Sequence, residues 1–147
     1  MTPSENHTTG RCQCGHVRFS YQAPESWACY CHCDDCRRNC AAPVVAYIGV
    51  KLDGFKWQMS DGSVEPKFYP SSPGVKRYFC DQCGSPMAFQ AEVYVGEIHV
   101  YAPMLDDPTQ FLPRFHVHYE EKLDWLHLAD ELPRYAGDAP AEESERV

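Results

Sequence analysis

Nine of the 147 residues are cysteines, and four of them form two short pairs, each followed directly by a glycine. The glycines, Gly15 and Gly84, suit a tight turn that lets two neighbouring sulfurs face one ion. A structural zinc ion takes four ligands, so one pair alone leaves its site half complete. We therefore predict that both pairs bind one structural zinc ion, although cysteines also pack as small buried hydrophobic residues. The predicted ligands are Cys12, Cys14, Cys80 and Cys83.

A third cluster places Cys31, Cys33 and Cys36 within six residues, close enough to meet at one ion from a single loop. Zinc with three protein ligands keeps a fourth position open, which is the arrangement of catalytic sites. That position takes water or, because zinc binds sulfur well, the thiol of a substrate. Coordination keeps such a thiol deprotonated at neutral pH, so that it can act as a nucleophile. The sequence therefore predicts a second, catalytic zinc ion here.

Other side chains near this cluster could close the site. Cys29 lies two residues before Cys31 and would share its face in an extended segment. Cys40 follows the cluster, and His32 lies inside it. A fourth ligand from any of these would make the chain a non-catalytic two-zinc module for structure or interaction, which stays the alternative interpretation.

Composition narrows the class of protein. The net charge is −8 without a basic stripe, which argues against a nucleic-acid partner. No apolar run approaches the roughly 18 residues of a membrane helix, and the N-terminus shows no signal region. We therefore expect a cytoplasmic protein with no membrane partner. In such a reducing compartment, an odd number of cysteines favours metal binding over disulfides.

The length fits a single domain with a real core. We expect one folded zinc domain over residues 10–136. The first nine residues (1–9) and the acidic, polar end of the chain (137–147) are predicted to be disordered tails.

Residue patterns predict a mainly β fold of small sheets held together by metal. In the segment 16–22, Val17, Phe19 and Tyr21 alternate with polar residues, as in a half-buried strand. Two short helices are candidates, one at 107–112, where Asp107 can cap the first turn, and an ambiguous one at 124–132. The other predicted strands lie at 44–50, 55–60, 66–72, 75–79, 87–93 and 96–102.

Several motifs occur together in the order seen in one known family. They are GRCQCGHVRF (10–19), CHCDDCRR (31–38), RYFCDQCGS (77–85), MLDDP (104–108), HVH (116–118), Trp125 and DELPRY (130–135). With these motifs the chain resembles the glutathione-dependent formaldehyde-activating enzyme (GFA) family, which includes the centromere protein V type of domain. The three cysteine motifs are highly specific in combination, and the resemblance spans nearly the whole chain.

The resemblance implies a β-rich, Mss4-like fold with two Zn²⁺ ions, a structural one at the four paired cysteines and a labile catalytic one at Cys31, Cys33 and Cys36. It also implies the family's activity, the addition of glutathione, as co-substrate, to formaldehyde to give S-hydroxymethylglutathione, which is carbon–sulfur lyase chemistry. Ala41 departs from the family pattern because a glycine is usual at that place. This departure flanks the expected pocket and leaves the substrate's identity open.

Three further side chains are candidates for contact with a thiol substrate. Arg37 directly follows the three-cysteine cluster, and its guanidinium could offset the thiolate charge or hold a carboxylate. Arg77 lies just before the second cysteine pair, and His116, which alternates with His118, could assist proton transfer. A structural role stays the alternative for each of them.

Overall fold

The computed structural model describes residues 7–144, which form ten strands and one α-helix. The helix, α1, spans Asp34–Cys40. The strands are β1 (His7–Arg11), β2 (Val17–Gln22), β3 (Trp27–Cys31), β4 (Val45–Lys51), β5 (Lys56–Met59), β6 (Lys67–Tyr69), β7 (Val75–Phe79), β8 (Pro86–Ala91), β9 (Glu97–Tyr101) and β10 (Phe115–Val117). The predicted mainly β fold is confirmed.

The strands form two sheets. In the small antiparallel sheet, β2 lies between β1 and β5, so that Phe19 pairs with Gly10 on one side and Trp57 on the other. The large sheet has the order β10-β3-β4-β9-β8-β7-β6 and is antiparallel except for the pair of β10 with β3. A bridge from Gly10 to Leu105 ties the small sheet to the segment after β9.

Alternation along the central strands gives the large sheet two different buried faces. On β4, Ile48 and Val50 belong to the core shared with the small sheet, whereas Val45 and Tyr47 belong to a second cluster on the other face. A strand that is buried on both faces has an almost continuous apolar sequence, which explains the unbroken run at 44–50. The sheet therefore has one face for the main core and another for a second group of side chains.

Aromatic rings fill the core between the sheets. Val17, Phe19 and Tyr21, which were expected to alternate on one strand, are all buried. Phe19 stacks on Phe55 with ring centroids 5.9 Å apart and meets the Trp57 ring edge-on at 6.2 Å. The alternating pattern of β2 thus places its apolar face against the large sheet.

The structure has a strand in each of the seven segments predicted from the sequence. Three strands, β1, β3 and β10, lie outside the predicted set. β3 was not predicted because its residues Cys29 and Cys31 were interpreted as metal ligands. β10 has only three residues. Three residues are too few for an alternating pattern to be visible.

Helix α1 lies in the segment that the sequence predicts to be a metal-binding loop. Cys33 caps it, because its Sγ accepts a hydrogen bond from the Cys36 backbone N–H at 3.3 Å. The helix ends at Ala41, whose φ of 51° lies in the left-handed region. None of the helices in the described part of the chain is long and apolar enough to cross a bilayer.

The two predicted helices are not α-helices. Residues 107–112 contain only a 3₁₀ turn, Pro108–Gln110, although Asp107 does cap it by accepting from the Thr109 backbone N–H at 3.1 Å. Residues 124–132, all of them described, contain neither helix nor strand. Trp125, the largest apolar side chain there, is 68% exposed, so no packed apolar face supports a helix.

The structure places parts of both segments that the sequence assigns to tails. Residues 7–9 belong to β1 and pair with β2. At the other end, Ala141–Glu143 forms a 3₁₀ turn, and the Tyr135 hydroxyl donates to the Glu143 carboxylate at 2.5 Å. Glu143 is only 1% exposed, so this segment packs against the body of the protein. Residues 1–6 and 145–147 of the predicted tails lie outside the described residues.

The conformation of Ala41 leads to a test of stability. We expect Ala41→Gly to raise the free energy of unfolding by about 1 kcal/mol, because glycine adopts the left-handed region without a Cβ clash. Ala42→Gly is the matched control and should bring no gain, since Ala42 is not among the residues with positive φ in the described range. Urea unfolding of both variants measures the difference, and equal effects at the two positions would contradict the observed helix end.

Candidate metal centres and active site

The four paired cysteines meet where β1 and β7 end. Their sulfur atoms all lie within 4.8 Å of one another. The Cys14 Sγ lies 3.7 Å from that of Cys12 and 3.8 Å from that of Cys80. In a tetrahedral site with metal–sulfur distances of about 2.3 Å, neighbouring sulfurs are about 3.8 Å apart. The four thiols therefore fit one tetrahedral metal ion.

Glycines shape both turns of this centre. The Gly15 N–H donates to the Cys12 carbonyl at 3.2 Å, and the Gly84 N–H donates to the Cys80 carbonyl at 2.8 Å. Gly15 has a φ of 84° and Gly84 a φ of 79°, values that a residue with a Cβ rarely adopts. The glycine behind each pair is therefore a requirement of the turn, as the sequence predicts.

Hydrogen bonds to the sulfurs favour the thiolate form that binds metal. The Gln82 backbone N–H donates to the Cys80 Sγ at 3.4 Å, but burial outweighs this bond and raises the pKa of Cys80 to about 12. Burial of Cys83 opposes ionisation, but hydrogen bonds from the Ser85 hydroxyl and backbone outweigh it and lower the pKa of Cys83 to about 5. Part of the negative charge of this centre is thus stabilised before any ion binds.

The centre connects the two sheets. Cys14 and Cys80 are separated by 66 residues, yet their sulfurs are in contact. Cys12 and Cys80 are buried in the core that the small and large sheets share. An ion bound here would join the end of β1 to the end of β7 and close a long loop of the chain.

The second cluster forms where β3 meets α1. Cys31 is the last residue of β3, Cys33 caps the helix and Cys36 lies in its first turn. Their three sulfurs lie within 4.8 Å of one another. Cys31 and Cys36 belong to the side-chain cluster on the second face of the large sheet. The two metal centres therefore lie on opposite faces of this sheet.

Cys36 receives the most hydrogen bonds in this cluster. The Tyr47 hydroxyl donates to its Sγ at 3.1 Å, and Arg77 Nη1 lies 3.7 Å from the same atom. Hydrogen bonds from the Cys31 and Cys33 thiols are the main cause that lowers the pKa of Cys36 to about 2, and those from Tyr47 and Arg77 act in the same direction. One thiolate of the cluster, that of Cys36, is thus stabilised, whereas the pKa of Cys31 and that of Cys33 are raised by their sulfur neighbours and by burial.

Neither additional cysteine joins this cluster. Among the described residues, the group of sulfurs within 4.8 Å of one another includes neither Cys29 nor Cys40. Burial raises the pKa of both thiols, that of Cys40 to about 11. His32 is not in the group either, and its Nε2 lies 2.8 Å from His116 Nδ1. The described part of the chain thus offers three ligands here.

The three-cysteine cluster lines a cavity of about 550 Å³, within the 300–1,000 Å³ that ligand pockets typically have. Of the seven cysteines in the two centres, only Cys31, Cys33 and Cys36 are among the described lining residues. Many residues that line the cavity are aromatic or histidine rings from five strands and from turns, so no local sequence pattern predicts them. These ring residues are Trp27, Tyr47, Phe89, Tyr94, His99, Phe115 and His118.

The C-terminal segment closes one side of this cavity. His118 holds it at two points, because its backbone N–H donates to the Gly137 carbonyl at 2.8 Å and its Nε2 lies 3.1 Å from the Asp138 carboxylate. Part of the segment that was expected to be disordered is therefore a wall of the site. The lining residues of this wall are Asp138, Ala139, Pro140, Ala141 and Ser144.

Arg77 is the one predicted substrate contact that lines the cavity. Three contacts hold its guanidinium. Its Nη1 contacts the Cys36 sulfur, and its Nε donates to the Ser71 hydroxyl at 2.9 Å. Its Cζ lies 5.0 Å from the centre of the Phe89 ring. The side chain is therefore fixed beside the thiols.

Arg37 and His116, the other two predicted contacts, are not among the described residues that line the cavity. Arg37 donates from Nε to the His32 carbonyl at 2.9 Å and from Nη2 to the Glu121 carbonyl at 3.1 Å. His116 is 0% exposed, and its Nε2 lies 3.0 Å from the Asp130 carboxylate. Both side chains support the loop behind the site instead of facing the cavity.

His116 belongs to a buried chain of polar groups that sequence reasoning missed. The Asp130 carboxylate also accepts from Arg134 Nη1 at 3.3 Å. An ionised carboxylate only accepts hydrogen bonds, so His116 donates from Nε2 and accepts on Nδ1 from His32 Nε2. Burial is the main cause that lowers the pKa of His32 to about 4, so this ring stays neutral. Because His32 lies between two cysteines of the cluster, the chain of bonds anchors the metal loop.

Comparison with known proteins yields one family and several solved structures of similar fold. The model of the family described as glutathione-dependent formaldehyde-activating enzyme matches residues 7–121. A crystal structure of a Rhodobacter sphaeroides protein shares the fold, with a TM-score of 0.55 and 23% sequence identity. The alignment covers 67% of this chain and 87% of that one. No match was found among curated proteins.

The two clusters predict different effects of losing a ligand. Cys83→Ser removes a ligand from the centre that joins the sheets, so we expect the free energy of unfolding to fall by more than about 3 kcal/mol. Cys33→Ser removes a ligand on the second face, and we expect a fall of less than about 1 kcal/mol. Denaturant unfolding of the metal-loaded proteins measures both changes, and equal losses would show that the two centres are not divided between stability and chemistry.

The contact between buried His116 and half-buried Asp130 has its own test. Asp130→Asn removes the charge that orients His116, and we expect the free energy of unfolding to fall by about 1–3 kcal/mol. Glu131→Gln is the control, because this neighbouring side chain is exposed. Urea unfolding compares the two variants, and a loss no larger than that of the control would mean that the contact does not hold the loop.

Proposed function

The chain belongs to the glutathione-dependent formaldehyde-activating enzyme family, and we propose on this basis that it is a zinc-dependent enzyme of carbon–sulfur bond chemistry. Its substrates would be a small thiol, glutathione or a similar one, and an aldehyde such as formaldehyde, or their S-hydroxymethyl conjugate. The observation that carries the proposal is that the three-cysteine cluster lines a cavity, whereas the four-cysteine cluster does not contribute to its described lining.

Zinc is the metal that suits both donor sets. Thiolates are soft ligands, and a tetrahedral set of four is typical of structural zinc, whereas three protein ligands leave a position for a substrate. The sulfur spacing of the four-cysteine centre supports this assignment. We therefore propose two Zn²⁺ ions per chain, a structural one at the centre that includes Cys12 and Cys80 and a catalytic one at Cys31, Cys33 and Cys36.

When bound at the three-cysteine cluster, zinc would supply a Lewis acid that lowers the pKa of a substrate thiol. The overall reaction is an addition without oxidation or reduction. The thiol sulfur forms a bond to the aldehyde carbon, the carbon–oxygen double bond becomes single, and the proton lost by the thiol ends on that oxygen. In the reverse direction the same carbon–sulfur bond breaks.

The chain's own residues tune the cluster. Tyr47 and Arg77 donate to the Cys36 sulfur, and hydrogen bonds of this kind disperse the charge of a metal-bound thiolate. Arg77 is held in place by Ser71 and by the Phe89 ring, so its charge stays beside the cluster. These contacts would keep the three sulfurs oriented towards the cavity.

The walls of the cavity would restrict water. Trp27 and Tyr94 place aromatic rings around the thiols, and the segment Ala139–Ala141 covers one side. A thiolate surrounded by apolar groups loses part of its hydration, which strengthens its interaction with fixed charges nearby.

The closed alternative, a non-catalytic two-zinc module, finds less support because no fourth described ligand joins the cluster. Nine free cysteines also support our proposal of a reducing, cytoplasmic location.

An exchange experiment tests the proposed activity. We expect the zinc-loaded protein to accelerate the interconversion of formaldehyde, a thiol and their S-hydroxymethyl adduct above the uncatalysed rate, measured by exchange NMR. Cys33→Ser should lower this acceleration by about a hundredfold or more and reduce the zinc content from two ions to one.

Cys40→Ser is the matched control for this variant. Cys40 lies on the same short helix but outside the sulfur group, so its replacement should leave both rate and zinc content near those of the parent. A parent protein that binds two zinc ions and accelerates no thiol–aldehyde exchange would contradict the proposed function.

A further inference from the structure

The charges around the cavity differ from those expected for an anionic thiol. Among the described residues, three carboxylates line it, whereas one lining side chain, Arg77, carries a fixed positive charge. The acidic residues are Asp35, Glu97 and Asp138. The chain as a whole has a net charge of −8, so the long-range field has the same sign.

The positive charge of Arg77 is already matched. Its Nη1 lies 3.7 Å from the Cys36 sulfur, and its Nε donates to Ser71 at 2.9 Å. A thiolate cluster with one divalent ion keeps a net negative charge, which this guanidinium balances. Arg77 is therefore not free to hold the carboxylates of a substrate, and glutathione carries two.

The neighbouring arginines do not fill this role either. Arg37 donates to the carbonyls of His32 and Glu121, behind the cavity. Arg38 pairs with the Asp34 carboxylate at 2.9 Å on the exposed side of the helix. Within residues 7–144, neither side chain lines the cavity.

Two of the lining carboxylates each contact a histidine. Glu97 lies 3.0 Å from His99 Nε2, and Asp138 lies 3.1 Å from His118 Nε2. A histidine ring nitrogen can donate such a bond without carrying a positive charge. Among the described residues neither carboxylate is paired with a lysine or arginine, so both contribute to the acidic lining of the cavity.

The aromatic residues that line the cavity also favour a positively charged ligand. Rings such as Trp27 and Tyr94 have a negative face that attracts cations, and such faces recognise quaternary ammonium groups. Burial raises the pKa of Tyr94, and the negative charges of Asp138 and the cysteine cluster raise it further, as expected in a negative potential. Carboxylates and ring faces together form a surface suited to a positively charged group.

We propose that the thiol substrate of this site carries a positive charge, as an amino or quaternary ammonium thiol does, and that Asp35, Glu97 and Asp138 determine this specificity. The inference rests on the proposed function and narrows its substrate class. The reaction stays the same addition, in which the sulfur bonds to the aldehyde carbon and the thiol proton moves to the oxygen. The substituent charge takes no part in the bond changes. Apart from its effect on the pKa of the thiol, it acts through binding to the site.

A series of thiols that differ chiefly in charge tests this inference. Thiocholine, mercaptoethanol and mercaptoethanesulfonate place a positive, a neutral and a negative group at the same distance from the sulfur. We expect kcat/KM for the adduct with formaldehyde, compared at equal thiolate concentration and corrected for the uncatalysed rate, to fall in this order. The difference between the two charged thiols should be about tenfold or more, and glutathione should fall with the anionic thiol.

Variants test whether Glu97 and Asp138, two of the three lining carboxylates, cause the preference for a cationic thiol. In the double variant Glu97→Gln and Asp138→Asn, the ratio between the cationic and the anionic thiol should fall to about threefold or less. Glu92→Gln is the matched control, because Glu92 lies on the same β8–β9 hairpin but outside the described lining of this cavity, and it should leave the ratio unchanged. An unchanged ratio in the double variant would overturn the assignment.

Binding and turnover separate this inference from the function on which it rests. Calorimetry on the zinc-loaded parent should show tighter binding of thiocholine than of mercaptoethanesulfonate or glutathione, and equal or reversed affinities would overturn the inference. Turnover that is highest with glutathione would also overturn it while supporting the proposed enzyme. Absence of turnover with every thiol would contradict the proposed enzyme, whereas the calorimetric order would still decide the charge preference.

Discussion

The contact between the Cys12–Cys14 turn and the Cys80–Cys83 turn is the constraint on which the rest of the structure depends. It brings together sulfurs that are 66 residues apart, at the point where the small and large sheets share a core. The sulfur spacing fits a tetrahedral ion, and glycines with positive φ let both turns be tight enough. Once the small sheet is held in this way, one face of the large sheet is covered.

Covering one face leaves the other for chemistry. The central strands alternate, so Ile48 supports the shared core while its neighbour Tyr47 reaches the second cluster and donates to Cys36. The cavity is therefore built on strands that are already fixed by packing on their other side. This arrangement can hold a reactive group of thiols in place without a large loop, because rigid strands position side chains more accurately than loops do.

Charge connects the three-cysteine cluster with the kind of thiol that we propose as its substrate. Arg77 lies beside Cys36 and is held there, so its charge serves the thiolates. The same placement keeps this guanidinium with Cys36, whereas Glu97 and Asp138, which also line the cavity, each contact a histidine instead. One arginine thus influences both the stability of the proposed metal centre and the kind of molecule that the cavity would accept.

The sequence alone was enough to predict the local features. Both cysteine groups, the glycines behind the pairs and the seven alternating or β-branched strands follow from spacing of a few residues, and chelation and strand formation depend on such short-range patterns. Helix α1 was not predicted, because Cys33, which caps it, and Cys36, which lies in its first turn, were interpreted as metal ligands on a loop.

Only the tertiary structure decided which face each cluster occupies, that the C-terminal segment forms a wall, and that Arg37 and His116 lie behind the cavity. The anchoring of His116 by Asp130, like the ring walls, joins residues from separate strands and turns. Such contacts depend on how the sheets pack, which no short-range spacing encodes. The sequence therefore determined the two groups of cysteines, and the fold decided their surroundings.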